Sequence, residues 1–169
     1  MRNDHVKKLA LAGLLTAVAV TCSAFTIPVG AARCMPVQHM VNLLGGVLLG
    51  PGWSVGMAFV TSVIRVAIGT GSLLAFPGSM VGALCCGLVW RMSGSLVAAM
   101  FGEALGTGVL GALCAWPVAV FLVGNEAAVF AYVIPFLISA SGGALLAGML
   151  LAALRRSGAL KGLLPAASK

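Results

Sequence analysis

Apolar runs alternate with short polar or glycine- and proline-rich breaks along the whole chain. The first, residues 9–27, is long enough at ~1.5 Å per residue to cross the ~30 Å hydrocarbon core of a bilayer. Pro28-Val29-Gly30 ends it, and a short connection carries Arg33 and Cys34. Apolar residues resume over 37–50, Pro51-Gly52 makes a tight turn, and a third run covers 53–69. Next comes GTGSLLAFPGS (Gly69–Ser79), rich in breakers yet apolar in its middle. Irregular backbone at membrane depth must be covered by protein, so Leu73–Phe76 is expected as a loop folded back onto the helices. The remaining runs are 78–91, closed by Arg91, then 95–123, through Trp116-Pro117, and 127–154. Gly124-Asn125-Glu126 turns the chain between the last two, and Pro135 and Gly142-Gly143 predict kinks in the final one. The expected fold is an all-α integral membrane protein, one membrane domain over 1–169 with six transmembrane helices.

Composition makes lipid the solvent. Of the 169 residues 61% are hydrophobic and 8% are charged, against about 25% charged in a globular domain. The 23 glycines suit helices that pack closely through small side chains. The basic lead-in RNDHVKK also fits a signal peptide, but the runs that follow favour a retained first span.

The net charge of +7 changes the picture through its placement. With six spans, one side holds Arg2, Lys7, Lys8, Arg91, Arg155, Arg156, Lys161 and Lys169, and the other holds Arg33 alone. That bias predicts cytoplasmic termini and a multi-pass protein of a cell membrane, with no nucleic-acid partner. The five cysteines show no metal-binding spacing, so no disulfide, metal site or cofactor is expected.

Arg65, Glu103 and His39 fall inside apolar runs. A charge at mid-helix costs ~2.5–3.5 kcal/mol on insertion scales, so such residues mark a function or a paired structural site. Arg65 lies ~18 Å along its helix from the inner surface and Glu103 ~12 Å, which permits an ion pair between them. Thr107 follows Glu103 at i+4, and Gly102 and Gly106 form a GxxxG beside it. Gln38 and Asn42 share one helix face, with His39 three residues before Asn42. Together they offer donors and acceptors suited to a small uncharged heteroaromatic or hydroxylated ligand; helix capping and loop anchoring are the structural alternatives. In Phe76-Pro77-Gly78-Ser79, Pro77 is expected as the first helical residue, its dipole end facing the outer cavity. Phe76, Trp116 and Tyr132 supply rings at the same level, for stacking or as interfacial anchors.

The runs IPVGAARCMPVQHMVNLLGGVLLGP, GTGSLLAFPGSMVGAL and GEALGTGVLGAL resemble the ThiW-type substrate-binding S components of energy-coupling-factor (ECF) vitamin transporters. The resemblance implies an S-component-like six-helix bundle of a prokaryotic cell membrane, with an outward-opening pocket for hydroxyethylthiazole, the thiazole part of thiamine. It also implies partners: a transmembrane coupling protein and two ATPase subunits that hydrolyse ATP. This chain has no P-loop and no catalytic set, so it is not expected to be an enzyme. S components commonly dock through Ala-x-x-x-Ala on the first helix. Here the corresponding residues are Ala12 with Thr16 and Gly13 with Ala17, still small enough for close approach.

Mapped onto this chain, the family pocket implies Gln38, His39, Asn42, Phe76, Ser79, Trp116 and Tyr132, with Arg65, Glu103 and Thr107 deeper. A phosphorylated thiazole calls for more outward-facing cations than Arg33 alone, which favours the unphosphorylated form. Thiamine or hydroxypyrimidine remain alternative cargoes. An autonomous carrier using Glu103 and Arg65 as a charge relay, and an intramembrane enzyme using His39 and Glu103, remain alternative classes; no internal repeat supports the carrier.

Overall fold

The computed structural model describes residues 2–29, 32–124 and 129–158. Helix α1 (Arg2–Thr21) runs into a 3-10 turn, Cys22–Ala24. A small antiparallel hairpin follows, β1 (Ile27–Val29) and β2 (Ala32–Cys34), with Pro28 opposite Arg33. Then come α2 (Pro36–Leu48), α3 (Pro51–Ala67), α4 (Ala75–Ser93), α5 (Leu96–Val123) and α6 (Val133–Arg156). Within α5 the stretches Gly106–Gly111 and Ala119–Val123 are π-helical.

Local chemistry sets most of these bounds. Pro36 and Pro51 sit in the first turns of α2 and α3, where a missing N–H leaves nothing unpaired. The two helices turn back on each other through Gly50, whose φ of 97° is closed to residues with a side chain. Gly94 ends α4 in the left-handed region, and the hydroxyl of Ser95 accepts from Ala98 N–H to start α5.

Several expected bounds shift. The helix of α1 begins at Arg2 rather than residue 9, because the polar lead-in continues it. The connection after α1 holds a hairpin; Pro28 is tolerated there because β1 pairs on one side only. Ala75 and Phe76, expected in a loop, are already helical, so Pro77 is the third residue of α4 rather than the first. A proline anywhere in the first turn leaves no ladder bond broken, so the helix extends past it to Ala75. Residues 129–132 form turns and α6 starts at Val133, not 127. Asn125, Glu126, Lys161 and Lys169 lie outside the described residues. The helix of α6 runs unbroken through Gly142-Gly143; these glycines serve close packing rather than a bend.

Among the described residues four helices are long and apolar enough to cross a membrane: Asp4–Ala24, Ala75–Ser93, Leu96–Val123 and Val133–Arg156. At 13 residues α2 spans only ~20 Å. Ten of its residues are buried, and α1, α3, α4, α5 and α6 all pack against it. A helix that buries both its apolar residues and its few polar ones is stable only when so enclosed. The chain alternates direction at each connection, so Lys7 and Lys8 of α1, Arg91 of α4 and Arg155 of α6 share one end. There Arg155 lies over the Trp90 ring, 5.5 Å from its centroid.

The apolar core occupies that same half of the bundle. Ala12, Leu15 and Ala19 of α1 meet Leu44, Val47 and Leu48 of α2, Met57 of α3, and Ala147 and Leu151 of α6. Buried polar groups gather in the opposite half, beneath the hairpin and the 68–74 connection.

Candidate functional site

A cavity of about 610 Å³ opens at the end of the bundle away from the helix α1 start and the helix α6 end. Its rim is Pro28 and Arg33 of the hairpin with Gly69–Ser72 of the α3–α4 connection. The connection is fixed to the end of α3, since Thr70 and Gly71 N–H both donate to Arg65 O at 2.9 Å. It is tied to α1 by the Ser23–Thr70 hydroxyl pair at 2.8 Å. Its wall and floor come from α2 (Gln38, His39), α3 (Arg65), α4 (Gly78, Ser79), α5 (Thr107) and α6 (Phe136, Ser139).

Beneath the floor lies a buried polar cluster centred on Glu103, which is fully buried. Its Oε1 receives His39 Nδ1 at 3.0 Å, Asn42 Nδ2 at 3.2 Å and Thr107 Oγ1 at 3.2 Å. Two helices, α2 and α5, thus converge on one carboxylate oxygen. The carboxylate accepts, so the hydrogen of this contact is on His39 Nδ1, and the same residue lines the cavity. Asn42 also donates to Ser79 O at 3.1 Å, and its own carbonyl accepts from Ser54 Oγ at 2.7 Å. Its side chain is therefore a tie between α2, α4 and α5 rather than part of the cavity surface.

Arg65 stands on the other wall, 4% exposed. Its Nη1 donates to Gln38 Oε1 at 3.1 Å, and its Nη2 donates to Thr70 O at 3.3 Å and meets Met35 Sδ. The ion pair expected with Glu103 is not formed. Glu103 is held by His39, and Arg65 turns along α3 toward Gln38 and the α3–α4 connection. A relay through the two charges therefore lacks its central contact.

Of the residues singled out from sequence, Gln38, His39, Arg65, Ser79 and Thr107 line the cavity. Asn42 and Glu103 lie behind it. Phe76, Trp116 and Tyr132 do not face it. Phe76 points to α3 and meets Phe59 edge-on, with centroids 5.7 Å apart; the cavity-facing positions of this segment are Leu74, Ala75, Gly78 and Ser79. Tyr132 is wholly buried in a small cluster with Ala112 and Ala119, and Trp116 is half-buried on α5. The aromatic ring in the wall is Phe136, 6.1 Å from Tyr132. It fits because Gly78 leaves room: a Cβ there would sit 2.7 Å from Phe136 Cε2.

Sequence reasoning missed Met35, Phe136 and Ser139. Ser139 was legible in part, as one of the few polar residues of the last run. Its hydroxyl accepts from Met35 N–H at 2.6 Å and so seats the start of α2.

On α1, Ala12 is buried in the core and Thr16 is half-buried, while Gly13 and Ala17 are exposed. Ala12 thus packs inward, and Gly13 and Ala17 are the members of the two small-residue pairs left exposed.

A family model described as thiamine-precursor transporter protein (ThiW) matches residues 9–157. No curated protein matches the chain.

Proposed function

The chain belongs to the ThiW family of thiamine-precursor transporters, and from that premise we propose that it is the substrate-binding S component of an ECF importer for hydroxyethylthiazole. The observation that carries this reading is the cavity itself: about 610 Å³, inside the ~300–1,000 Å³ range of small-molecule sites. Its polar groups come from α2, α3, α4 and α5, and it opens at the end opposite the basic one. The proposed topology has all six helices crossing the membrane, with α2 and α3 shielded by the longer four. Both termini are cytoplasmic and the cavity faces outside.

In the proposed complex the thiazole ring lies on Phe136. Gln38 Nε2, buried and without a partner, donates to the ring nitrogen, and the hydroxyl donates to His39 Nε2. Release into the cell is driven by a coupling protein with two ATPase subunits, which the exposed Gly13–Ala17 face of α1 is suited to meet.

Calorimetry of the purified protein with hydroxyethylthiazole, thiamine and hydroxypyrimidine tests the cargo. The thiazole should bind tightest; tight thiamine binding with no thiazole signal would reassign it. Phe136→Ala should weaken the thiazole about tenfold, the loss of one ring face and its buried area. Phe76→Ala should leave affinity within about twofold, since that ring packs on Phe59. Equal losses in the two variants would remove Phe136 from the site. In membranes containing the partner subunits, an ATPase-inactive partner should abolish uptake, while collapse of the proton gradient should leave it intact.

A further inference from the structure

The guanidinium of Arg65 is buried at 4% exposure, yet the groups that hold it are neutral: Gln38 Oε1, Thr70 O and Met35 Sδ. Its Nε has no hydrogen-bond partner. A buried cation without a counter-charge is unfavourable unless something completes its shell. Arg33 enters the same cavity from β2, so two guanidinium groups line it, and among the described lining residues there is no Asp or Glu.

The chain has only three acidic residues. Asp4 is at the far end of α1, Glu103 is bound beneath the floor, and Glu126 lies outside the described residues. Gln38 Nε2 and Arg65 Nε are both lining-residue atoms left without partners, and both are N–H donors. The acceptors left unpaired, Asn42 Oδ1, Thr61 Oγ1 and Glu103 Oε2, belong to residues behind the wall. Buried unmet donors in the wall of a cavity that Arg65 and Arg33 both line are complementary to an oxyanion, and guanidinium groups are the side chains best shaped to hold one.

Resting on the reading of this cavity as an azole-precursor site, we propose that it takes its cargo in an oxyanion-bearing form, the phosphate monoester of the heteroaromatic alcohol. The phosphoryl oxygens accept from Arg65 Nε and from one N–H of Gln38 Nε2, whose other N–H keeps the ring nitrogen. The ester oxygen has no hydrogen to give His39, and Arg33 closes over the phosphoryl group from the hairpin. A monoester carries about −1.5 to −2 charge near neutral pH, which matches two guanidinium groups. The sequence alone counted Arg33 as the only outward cation and so favoured the free alcohol. Arg65 opening into the same space removes that objection.

The test is calorimetry on the full chain in lipid nanodiscs with three probes: hydroxyethylthiazole, its phosphate monoester and inorganic phosphate. The ester should bind at least about tenfold tighter than the alcohol. Arg65→Gln alters a buried group and endangers the fold, so Arg33→Gln, on the exposed strand, is the deciding variant. It should weaken the ester about fivefold or more and leave the alcohol within about twofold. If the alcohol binds and the ester binds no more tightly, the anion seat is refuted and the importer reading stands. An ester-to-alcohol ratio unchanged by Arg33→Gln refutes it equally. If neither azole binds but inorganic phosphate does, and Arg33→Gln weakens it, the cargo reading fails while the anion seat holds. Absence of binding by both phosphate-bearing probes refutes the seat.

Discussion

Glu103→Leu is expected to lower the stability of the bundle by about 2–6 kcal/mol, the penalty for stranding two buried hydrogen-bonding groups. Leucine is apolar and similar in bulk, so the loss comes from the groups left behind rather than from a void. His39 Nδ1 and the Thr107 hydroxyl lose the carboxylate oxygen they point to, and Asn42 keeps only Ser79 O. Each stranded buried polar group costs about 1–3 kcal/mol. Glu103→Gln retains an acceptor at Oε1 and should recover most of the stability. Thermal unfolding in detergent of the wild type and both variants decides the matter. A leucine variant that melts with the wild type would show that the cluster adds nothing. The glutamine variant should also retain cargo binding, because Nδ1 of His39 still has an acceptor and the ring keeps its place in the cavity wall.

The second large effect is expected at Gly143, where α6 crosses the start of α2. A Cβ there would stand 2.3 Å from Pro36 O, 2.6 Å from His39 Cβ and 2.8 Å from Met40 N. Two of these are backbone atoms, so no side-chain rotation relieves the overlap and α2 itself must move. Overpacking of this kind costs about 1–3 kcal/mol or more. It also displaces His39, so cargo affinity should fall by at least about tenfold. The neighbouring glycine supplies the control. A Cβ at Gly142 would lie 3.6 Å from Pro36 Cγ, an ordinary contact. Gly142→Ala should therefore be neutral, or stabilising by up to about 1 kcal/mol through helix propensity. Melting temperature and calorimetry on both variants check the contrast; similar behaviour of the two would mean that the helices are not in this register.

The contrast also shows where sequence reading stops. Gly142-Gly143 reads as a flexible pair within an apolar run, and that pattern alone supports a bend. The structure gives the two residues different tasks, because only one of them faces α2. The aromatic residues behave alike. Phe76 is correctly at the level of the site, but once Ala75 and Phe76 are helical its ring is directed at Phe59 of α3 rather than into the cavity. The short hairpin was invisible because three-residue strands carry too little alternation to stand out from a loop.

By itself the sequence determined the apolar character of the helices, their order, the end at which polar groups collect, and the choice of Gln38, His39, Arg65, Ser79 and Thr107 as candidates, the last of these with Arg65 set deeper. Hydropathy and helical rise are properties of one segment, so they are readable from one segment. The tertiary structure decided which groups meet. Glu103 closes on His39, Asn42 and Thr107 rather than on Arg65, and Arg65 is left beside Gln38 at the cavity wall. Depth along a helix permits either pairing; the rotation of each helix against its neighbours, set by where glycines allow backbones to touch, selects one.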